Sequence, residues 1–422
     1  MSRILIRGAR IFDATGADPF AGDVLIEGDW IKRVLQAPGQ IAPEGCEVIN
    51  ANGLFLMPGM TEGHAHLSFD NVTCTADLIT PPPEEHTLLT ARVAERLLDQ
   101  GFTSAWGASE AKLRLGVAVR NAVNAGHLKG PRIRAGSLEI SVTGAMGDES
   151  RLHDSRPGGP SIIVDGPEEM RKAVRLACRE GCDNIKLDVS GDPFYPGTPA
   201  NTTPMSFEEV KMAVDTAHAY GRRVNAHVRS IEGAKVCLRA GVDALFHCEF
   251  TDEEALDMFE EAKDRVFVVP TVSLFHTLLH EAEPYMSNAI ARAMQIDRLL
   301  EASQDTHNAL RKRGIRHTIG GDYGFAWSHN GTNARDIGFF VQYFGYSPKE
   351  ALICATANGG AMMTMGTDEK LGLIKEGYLA DLLLVSGDPI ADPAVVVNAS
   401  NLKLIMKGGS LHKNTVAAGL AD

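Results

Sequence analysis

The residues best suited to chemistry in this sequence are four histidines, one aspartate and one lysine in short apolar segments. They are His64 and His66 in GMTEGHAHL, Lys186 in NIKLDVSG, His227 in VNAHV, His247 in LFHC and Asp322 in TIGGD. Imidazole and carboxylate are suitable ligands for zinc and similar divalent ions. Alternate residues of a strand face one side, so His64 and His66 can reach the same ion. A single strand-end histidine is usually an ordinary hydrogen-bonded residue; the whole set predicts a metal site.

Lys186 is the unusual member of this set, because a lysine inside a buried strand loses its water without an evident partner. Its ammonium has no lone pair and would repel a metal ion. A neutral lysine could instead add carbon dioxide and become N-carboxylysine, whose two oxygens could bridge two cations. Two ions ~3.5 to 4 Å apart can act together on an acyl-transfer transition state. The alternative is a lysine that extends to the rim of the fold and pairs with Asp188 or Asp192.

The middle of the chain alternates between strand and helix patterns, which is typical of a (β/α)₈ barrel of the TIM type. Eight candidate strands occur over roughly 300 residues, and all the residues named above lie at or near the carboxyl ends of these strands. Helical patterns lie between them at 83–100, 167–180, 206–220 and 252–263. An open doubly-wound sheet is the alternative, but no GxGxxG turn follows the first strand.

The two ends of the chain have a different pattern, with short alternating strands separated by glycine and aspartate. We therefore expect the termini to meet in one small β-sandwich domain formed by residues 1–59 and 366–422. The barrel would then span residues 60–365, giving an α/β protein with two domains.

Composition excludes several classes of function. The net charge is −13 and no basic stripe is present, which argues against nucleic acid as a partner. No apolar run approaches the ~18 to 20 residues of a membrane span, and the amino terminus lacks a secretory pattern. The seven cysteines are scattered without paired spacing, which is typical of a reducing cytoplasm.

The same segments resemble the metal-ligand signatures of the amidohydrolase superfamily. GLIKEGYLADLLLVSGDP resembles its returning β-sandwich segment, and ATANGGAMMTM resembles the helix before it. A lysine between the histidines of strands one and five resembles the binuclear-metal subtype. The segment NARDIGFFVQYFGYSPKEALICATANGGAMM is most similar to the prolidase-like and imidazolonepropionase-related branch.

This resemblance implies two divalent ions, with zinc as the expected metal. His64, His66, Lys186 and Asp322 would hold the first ion, and Lys186, His227 and His247 would hold the second. Asp322, Lys186 and His247 are the expected catalytic residues. Asp322 would take a proton from the attacking water and deliver it to the leaving nitrogen. The expected reaction is hydrolysis of an amide-type C–N bond.

Substrate contacts are expected from four further residues. Arg229 could clamp a carboxylate or form a surface salt bridge. His329 could bond the substrate carbonyl or have no such role, and Tyr195 could line the pocket or only stabilise a turn. Tyr323 belongs to GGDYGFAW, which stands where that branch has a small residue after the aspartate; with Phe325 and Trp327 it would crowd the pocket. The loop SVTGAMGDESRLH lacks the histidine usual in prolidase-like members.

Two kinds of small-molecule substrate therefore remain open. One is a dipeptide or N-acyl amino acid, which needs a cation such as Arg229; the other is an aryl amide, phenylurea or carbamate, which suits an aromatic loop. A non-catalytic barrel that serves as a scaffold is the alternative of another class, and a scaffold would not need all six ligand positions. Association into a homo-oligomer is also expected, since barrels of this kind often associate.

Overall fold

The computed structural model describes residues 2–40, 44–150, 152–153, 159–195, 197–283 and 285–416. Its strands are β1 (Arg3–Ile11), β2 (Phe20–Glu27), β3 (Trp30–Leu35), β4 (Glu47–Asn50), β5 (Phe55–Pro58), β6 (Met60–Ala65), β7 (Phe102–Gly107), β8 (Arg132–Arg134), β9 (Gly136–Ser141), β10 (Ile162–Ile163), β11 (Asn184–Asp188), β12 (Arg223–Val228), β13 (Ala244–His247), β14 (Phe267–Val269), β15 (Leu382–Val385), β16 (Leu402–Lys407) and β17 (Ser410–Asn414).

Thirteen α-helices are described: α1 (Ala76–Ile79), α2 (Pro83–Asp99), α3 (Leu115–Asn124), α4 (Pro167–Arg179), α5 (Phe207–Ala219), α6 (Ile231–Ala240), α7 (Glu253–Ala262), α8 (Val272–His280), α9 (Asn288–Ala293), α10 (Ile296–Lys312), α11 (Arg335–Phe344), α12 (Pro348–Ile353) and α13 (Gly359–Met363). A π-helical turn, Cys354–Asn358, lies between the last two, and 3₁₀ turns follow at Pro393–Val396 and Ala399–Asn401. None of the helices in the described residues is both long and apolar enough to cross a membrane.

Both ends of the chain build one β-rich domain, as the sequence predicts. Its eight strands form a connected sheet in the order β17-β16-β15-β5-β1-β2-β3, with β4 beside β1. The antiparallel pairing of β15 with β5 joins the two ends of the chain. Alternating residues of β1, such as Ile4 and Ile6, pack with Leu382 and Leu404 in one apolar core. The boundaries 1–59 and 366–422 stay a prediction.

The middle of the chain forms the predicted barrel. Strands β6, β7 and β8 are parallel, and so are the six strands in the order β10-β9-β11-β12-β13-β14. The eighth segment, residues 315–319, is extended and closes the ring. The amide of Thr318 donates to the carbonyl of Val268 at 3.0 Å, and the amide of Gly63 donates to the carbonyl of Ile319 at 2.9 Å. The prediction of a (β/α)₈ barrel with a terminal β domain is confirmed.

Two predicted strands differ in detail. The first divides between β5, which belongs to the terminal domain, and β6, which begins the barrel. The third, predicted at RIRAGSLEIS, breaks at Ala135, where β8 pairs with β7 and β9 pairs with β11. Gly107 and Gly136 lie so close at this break that a Cβ at Gly107 would stand 2.5 Å from the Gly136 nitrogen. A side chain there would force the two strands apart.

The predicted helices form because their first turns carry suitable residues. Pro167 starts α4, and Ser206 caps α5 in a reciprocal capping box with Glu209. Asp252 caps α7 by accepting from the amide of Ala255. These helices direct each following strand back into the barrel, so that the strand ends meet at one face.

Candidate metal centre and active site

The carboxyl ends of the barrel strands surround one cavity, and all six predicted metal ligands line it. They are His64, His66, Lys186, His227, His247 and Asp322. Each of these side chains is buried. The cavity has a volume of about 220 Å³. The structure therefore brings together the whole set that the sequence singled out.

His64, His66 and Asp322 form the tightest part of this set. The Nε2 atoms of the two histidines are 3.1 Å apart. The Oδ1 atom of Asp322 lies 3.1 Å from Nε2 of His66 and 3.6 Å from Nε2 of His64. One ligand atom from each residue thus lies within 4.8 Å of the others, which is the spacing that a shared cation requires.

Hydrogen bonds to backbone carbonyls fix two of the imidazole tautomers. Nδ1 of His66 lies 3.0 Å from the carbonyl oxygen of Ser109, which only accepts, so Nδ1 carries the proton. Nε2 of His227 lies 3.1 Å from the carbonyl oxygen of Gly191 and carries the proton for the same reason. In their neutral forms, His66 keeps its lone pair on Nε2 and His227 keeps its lone pair on Nδ1.

The tautomer of His247 follows from Thr271. The Thr271 hydroxyl donates its hydrogen to the carbonyl of Pro270 at 2.8 Å. It therefore accepts from Nδ1 of His247, which lies 2.7 Å away. His247 consequently has its lone pair on Nε2, so this is the nitrogen that can bind a metal ion.

The electrostatics keep these imidazoles neutral. Burial lowers the pKa of His64, His227 and His247 well below the ordinary histidine value. Burial alone would raise the pKa of Asp322, but its polar neighbours lower the pKa by more than that, so the group is a carboxylate. Neutral imidazoles and an ionised carboxylate are the forms that bind divalent metals.

The donor set fits a divalent cation. Nδ1 of His64 is buried without a hydrogen-bond partner among the described residues. Its Nε2 lies 3.1 Å from Nε2 of His66, so one cation can be reached by both nitrogens. Two imidazoles and a carboxylate oxygen at these distances form a ligand set of the kind that zinc prefers.

Backbone strain collects at the same strand ends. Four residues other than glycine have positive φ here: His247 at 73°, Cys248 at 60°, Thr271 at 55° and Asp322 at 59°. Each such conformation costs about 1 to 3 kcal/mol and persists only where its surroundings hold it. Strain of this kind is typical of functional sites.

Lys186 lies in β11 with 2 % of its side chain exposed, so it does not extend to the rim. Its Nζ is 4.0 Å from Oε1 of Glu139 and 4.0 Å from Oδ1 of Asp188. These distances are too long for hydrogen bonds. Both oxygens of Asp188 are buried without a hydrogen-bond partner among the described residues.

Arg229 also lines the cavity, but it is not at the surface. Its side chain is 1 % exposed, and Nε donates to Oδ2 of Asp192 at 2.9 Å. Nη1 donates to Glu249. The alternative of a surface salt bridge is therefore wrong, because two buried carboxylates from neighbouring loops hold the guanidinium inside.

The other predicted substrate contacts are distributed differently. Tyr195 lines the cavity, with its hydroxyl 3.5 Å from Oε1 of Glu149. Tyr323 is buried outside the cavity lining, because its hydroxyl donates to Oδ1 of Asp336 at 3.0 Å. His329 is exposed and its Nδ1 lies 2.8 Å from Oδ1 of Asn71. The structure does not bring Tyr323 or His329 to the cavity wall.

Aromatic side chains form one wall of the cavity. Phe325 and Trp327 line it and stack with their ring centroids 5.4 Å apart. Phe69 stacks on His66 at 4.3 Å. The predicted crowding after Asp322 thus comes from Phe325 and Trp327, while Tyr323 stabilises the loop from behind.

Comparison with known proteins identifies the family. The profile of the Amidohydrolase family matches residues 55–411. The chain is 30 % identical over 377 residues to the ochratoxinase of Aspergillus niger, covering 85 % of this chain and 75 % of that protein. The chain belongs to the amidohydrolase family. It is a metal-binding hydrolase that acts on carbon–nitrogen bonds of small molecules.

Solved structures agree with this assignment. The crystal structure of A. niger ochratoxinase superposes on the present structure with a TM-score of 0.84 and 25 % identity, covering 98 % of this chain and 96 % of that one. A Xaa-Pro dipeptidase with bound methionine in its active site superposes with a TM-score of 0.86 and 26 % identity, covering 98 % and 100 %.

Sequence reasoning missed Glu139, which lines the cavity of the amidohydrolase beside Lys186. Its Oε1 accepts from the Ser109 hydroxyl at 3.2 Å. A carboxylate inside the largely buried strand GSLEIS is unusual, as is the lysine in β11, and the same reasoning could have found it. The sequence around Thr271 does not indicate its role, because that role depends on its contact with His247 in another part of the chain.

Proposed function

We propose that this amidohydrolase hydrolyses the amide bond of a small substrate that carries an apolar or aromatic group, with two divalent cations. The observation that supports this proposal is one cavity lined by all six predicted ligand side chains and by stacked aromatic rings. His64, His66, Lys186 and Asp322 would hold one cation, and Lys186, His227 and His247 would hold the other. Zinc is the proposed metal.

When bound, the cations supply Lewis acidity that activates water and polarises the substrate carbonyl. The protein's own residues hold the histidines in position and transfer the proton. Backbone carbonyls and Thr271 keep the lone pairs of the histidines available in the cavity. Asp322 accepts the proton of the attacking water and then delivers it to the leaving nitrogen, for which its ionised form is suited.

Lys186 would act as an N-carboxylysine. The unprotonated Nζ forms a bond to the carbon of carbon dioxide and loses one proton to solvent, which yields a carbamate with one negative charge. Burial favours this change, because a cationic ammonium close to a metal site is disfavoured and Nζ has no hydrogen bond at 3.5 Å or less among the described residues. The carbamate adds the two oxygens that a bridge between two cations needs.

Different parts of the cavity support the two candidate classes of substrate. The aromatic wall formed by Phe69, Phe325 and Trp327 favours an apolar or aryl group. Arg229 favours a substrate carboxylate, as in an N-acyl amino acid or a dipeptide, although Asp192 and Glu249 already compete for its charge. We place the aryl group first and treat phenylureas and carbamates as the second candidate, since they need the same wall without the clamp.

A hydrolysis screen of the metal-loaded protein tests this proposal. N-acyl amino acids and Xaa-Pro dipeptides are compared with aryl amides, phenylureas and carbamates. We expect the highest kcat/KM for amides with an aromatic group, whether or not they carry a carboxylate. Turnover confined to phenylureas and carbamates would support the second candidate instead.

Arg229 requires a milder change than removal, because Arg229→Ala would leave two buried carboxylates unpaired. Arg229→Lys keeps the charge but loses the planar fork. If Arg229 binds a substrate carboxylate, this variant raises KM for N-acyl amino acids and leaves KM for neutral aryl amides unchanged. Equal changes for both classes would assign Arg229 a structural role.

We also propose a cytoplasmic location, which is supported by the absence of disulfides among the seven cysteines, all of which are described and free. Association into a homo-oligomer stays a prediction.

A further inference from the structure

A series of buried hydrogen bonds runs from the backbone of His247 to the outer layer of the barrel. His307, on α10, is 0 % exposed, and its Nε2 lies 2.8 Å from the carbonyl oxygen of His247. Its Nδ1 lies 3.1 Å from Nε2 of His317, in the eighth barrel segment. Nδ1 of His317 lies 2.8 Å from the hydroxyl of Tyr346. These bonds are separate from those that fix the His247 imidazole.

The donor and acceptor properties of each group determine the direction of each hydrogen bond in this series. The carbonyl of His247 only accepts, so Nε2 of His307 donates to it. Burial lowers the pKa of His307 to about 3 and that of His317 well below its ordinary value, so both rings are neutral. Nδ1 of His307 therefore accepts from Nε2 of His317, and Nδ1 of His317 accepts from Tyr346. Each of the four ring nitrogens has a partner and one defined role.

The bond from His307 meets the backbone where it is strained. His247 and Cys248 both have positive φ, at 73° and 60°. The pairing of β13 with β14 ends at Phe246 and Val269, one residue earlier, so the carbonyl of His247 lies beyond that pairing. Its acceptor capacity is used by α10 instead.

The preceding residue of α10 makes a parallel contact. The hydroxyl of Thr306 donates to the carbonyl of Glu249 at 2.8 Å. Adjacent side chains of one helix thus hold two carbonyls of the segment 247–249. Glu249 is the buried partner of Arg229, so the same segment positions groups on two sides of the cavity.

We propose that His307 is a positioning residue for His247. Its hydrogen bond holds the left-handed turn at His247 and Cys248, and so directs Nε2 of His247 into the cavity, where it would bind the second cation. This inference rests on the proposed metal site. The strained turn would thus be stabilised by a helix, α10, that contacts neither the cations nor the substrate.

Two amide substitutions separate the bond to His247 from the bond to His317. In His307→Gln the side-chain nitrogen reaches the position of Nε2 and can still donate to His247. In His307→Asn the amide reaches only the position of Nδ1, which serves His317. Leu310→Ala, a buried apolar change three residues along α10, controls for general destabilisation of the helix.

The first measurement is the metal content of each variant after dialysis against graded chelator. We expect wild type, His307→Gln and Leu310→Ala to retain two equivalents. His307→Asn should retain one equivalent, with the affinity of the second reduced roughly 10- to 100-fold. Equal retention by His307→Asn and His307→Gln would overturn the positioning role.

The second measurement does not need a metal. Hydrogen exchange of the metal-free proteins is followed in a peptide that covers residues 244–251. We expect faster exchange there in His307→Asn than in His307→Gln or Leu310→Ala; equal exchange contradicts the inference. If wild type itself binds fewer than two ions, the two-metal proposal fails, and the exchange data alone then decide whether His307 holds this segment.

Discussion

The residue type and strand position of Lys186 already indicate a special role, before any of its contacts is known. A buried amine in a strand is rare because its desolvation costs several kcal/mol in order of magnitude. The structure sharpens this point, since Nζ lies 4.0 Å from two carboxylates instead of forming a close ion pair. The proposed modification of Lys186 would replace that ammonium by a carbamate.

The first prediction concerns this residue. Lys186→Ala should lose metal and activity, because the proposed bridge is removed. A short carboxylic acid such as propionate should restore part of both by occupying the space of the carbamate. Metal content and kcat are measured with and without the acid.

Lys235→Ala is the matched control for this experiment. Lys235 is also buried, but it pairs with Asp252 and Glu254 away from the cavity. That variant should keep its metal and show no response to propionate. Full metal content in Lys186→Ala without acid would contradict the bridging role.

Asp322 carries the second prediction. Asp322→Asn should lower kcat by at least about a hundred-fold, because the amide cannot accept and return the proton. Much of the metal should remain, since the other ligands persist. Steady-state kinetics and metal analysis on the same preparation check both statements. Turnover near the wild-type rate would remove Asp322 from the proton transfer.

At the scale of elements, the loop after β7 contains a buried acid with a consequence for stability. Burial raises the pKa of Glu110 to about 7 from an ordinary value of 4.5, although the amide of Ser68 and the neighbouring His66 lower it in part. Between these two pH values the folded protein keeps a proton that the unfolded chain has released. Folding stability therefore falls as the pH rises through this window, by at most about 1.4 kcal/mol per pH unit.

Glu110→Gln tests this third prediction, because the amide cannot ionise. The free energy of unfolding of the metal-free variant, relative to wild type, should increase between about pH 5 and about pH 7 and level off above that. Denaturant titrations at several pH values give this difference. Parallel pH profiles for the two proteins would show that Glu110 does not titrate in this range.

The elements themselves were largely predictable, whereas contacts between them were not. Hydrophobic periodicity and capping residues locate α4, α5 and α7, and the register of strand ends brings the six predicted ligands together. The sequence leaves Arg229 open between a carboxylate clamp and a surface salt bridge, because its partners, Asp192 and Glu249, come from other loops. The direction of Tyr323 likewise depends on Asp336 in the following helix. Such contacts need the three-dimensional arrangement.

For the whole molecule, the pattern of strands at both termini predicts a shared domain, and the pairing of β5 with β15 shows how it closes. An ion pair joins this domain to the barrel. Arg132 of β8 donates from Nε to Oδ2 of Asp381 at 3.1 Å, and the Asp381 side chain is 1 % exposed. The amide of Gly408 donates to the same carboxylate at 2.7 Å.

The fourth prediction follows from this link. Arg132→Met should lower the free energy of unfolding by about 2 kcal/mol or more, because a buried carboxylate loses its cation. Arg10→Met is the control, since the pair of Arg10 with Asp388 is exposed and such pairs contribute about 1 kcal/mol or less. Denaturant unfolding compares the two. An equally small loss in both variants would show that the link between the domains contributes little.

The central claim is a two-cation centre bridged by a carboxylated Lys186, and its most direct test is a crystal structure of the zinc-loaded protein grown with bicarbonate. Anomalous scattering locates the metals independently of the refined protein. We predict two peaks, one beside His64, His66 and Asp322 and one beside His227 and His247, with planar carbamate density on Nζ between them. A single metal peak, or an unmodified lysine amine facing the site, would contradict the claim.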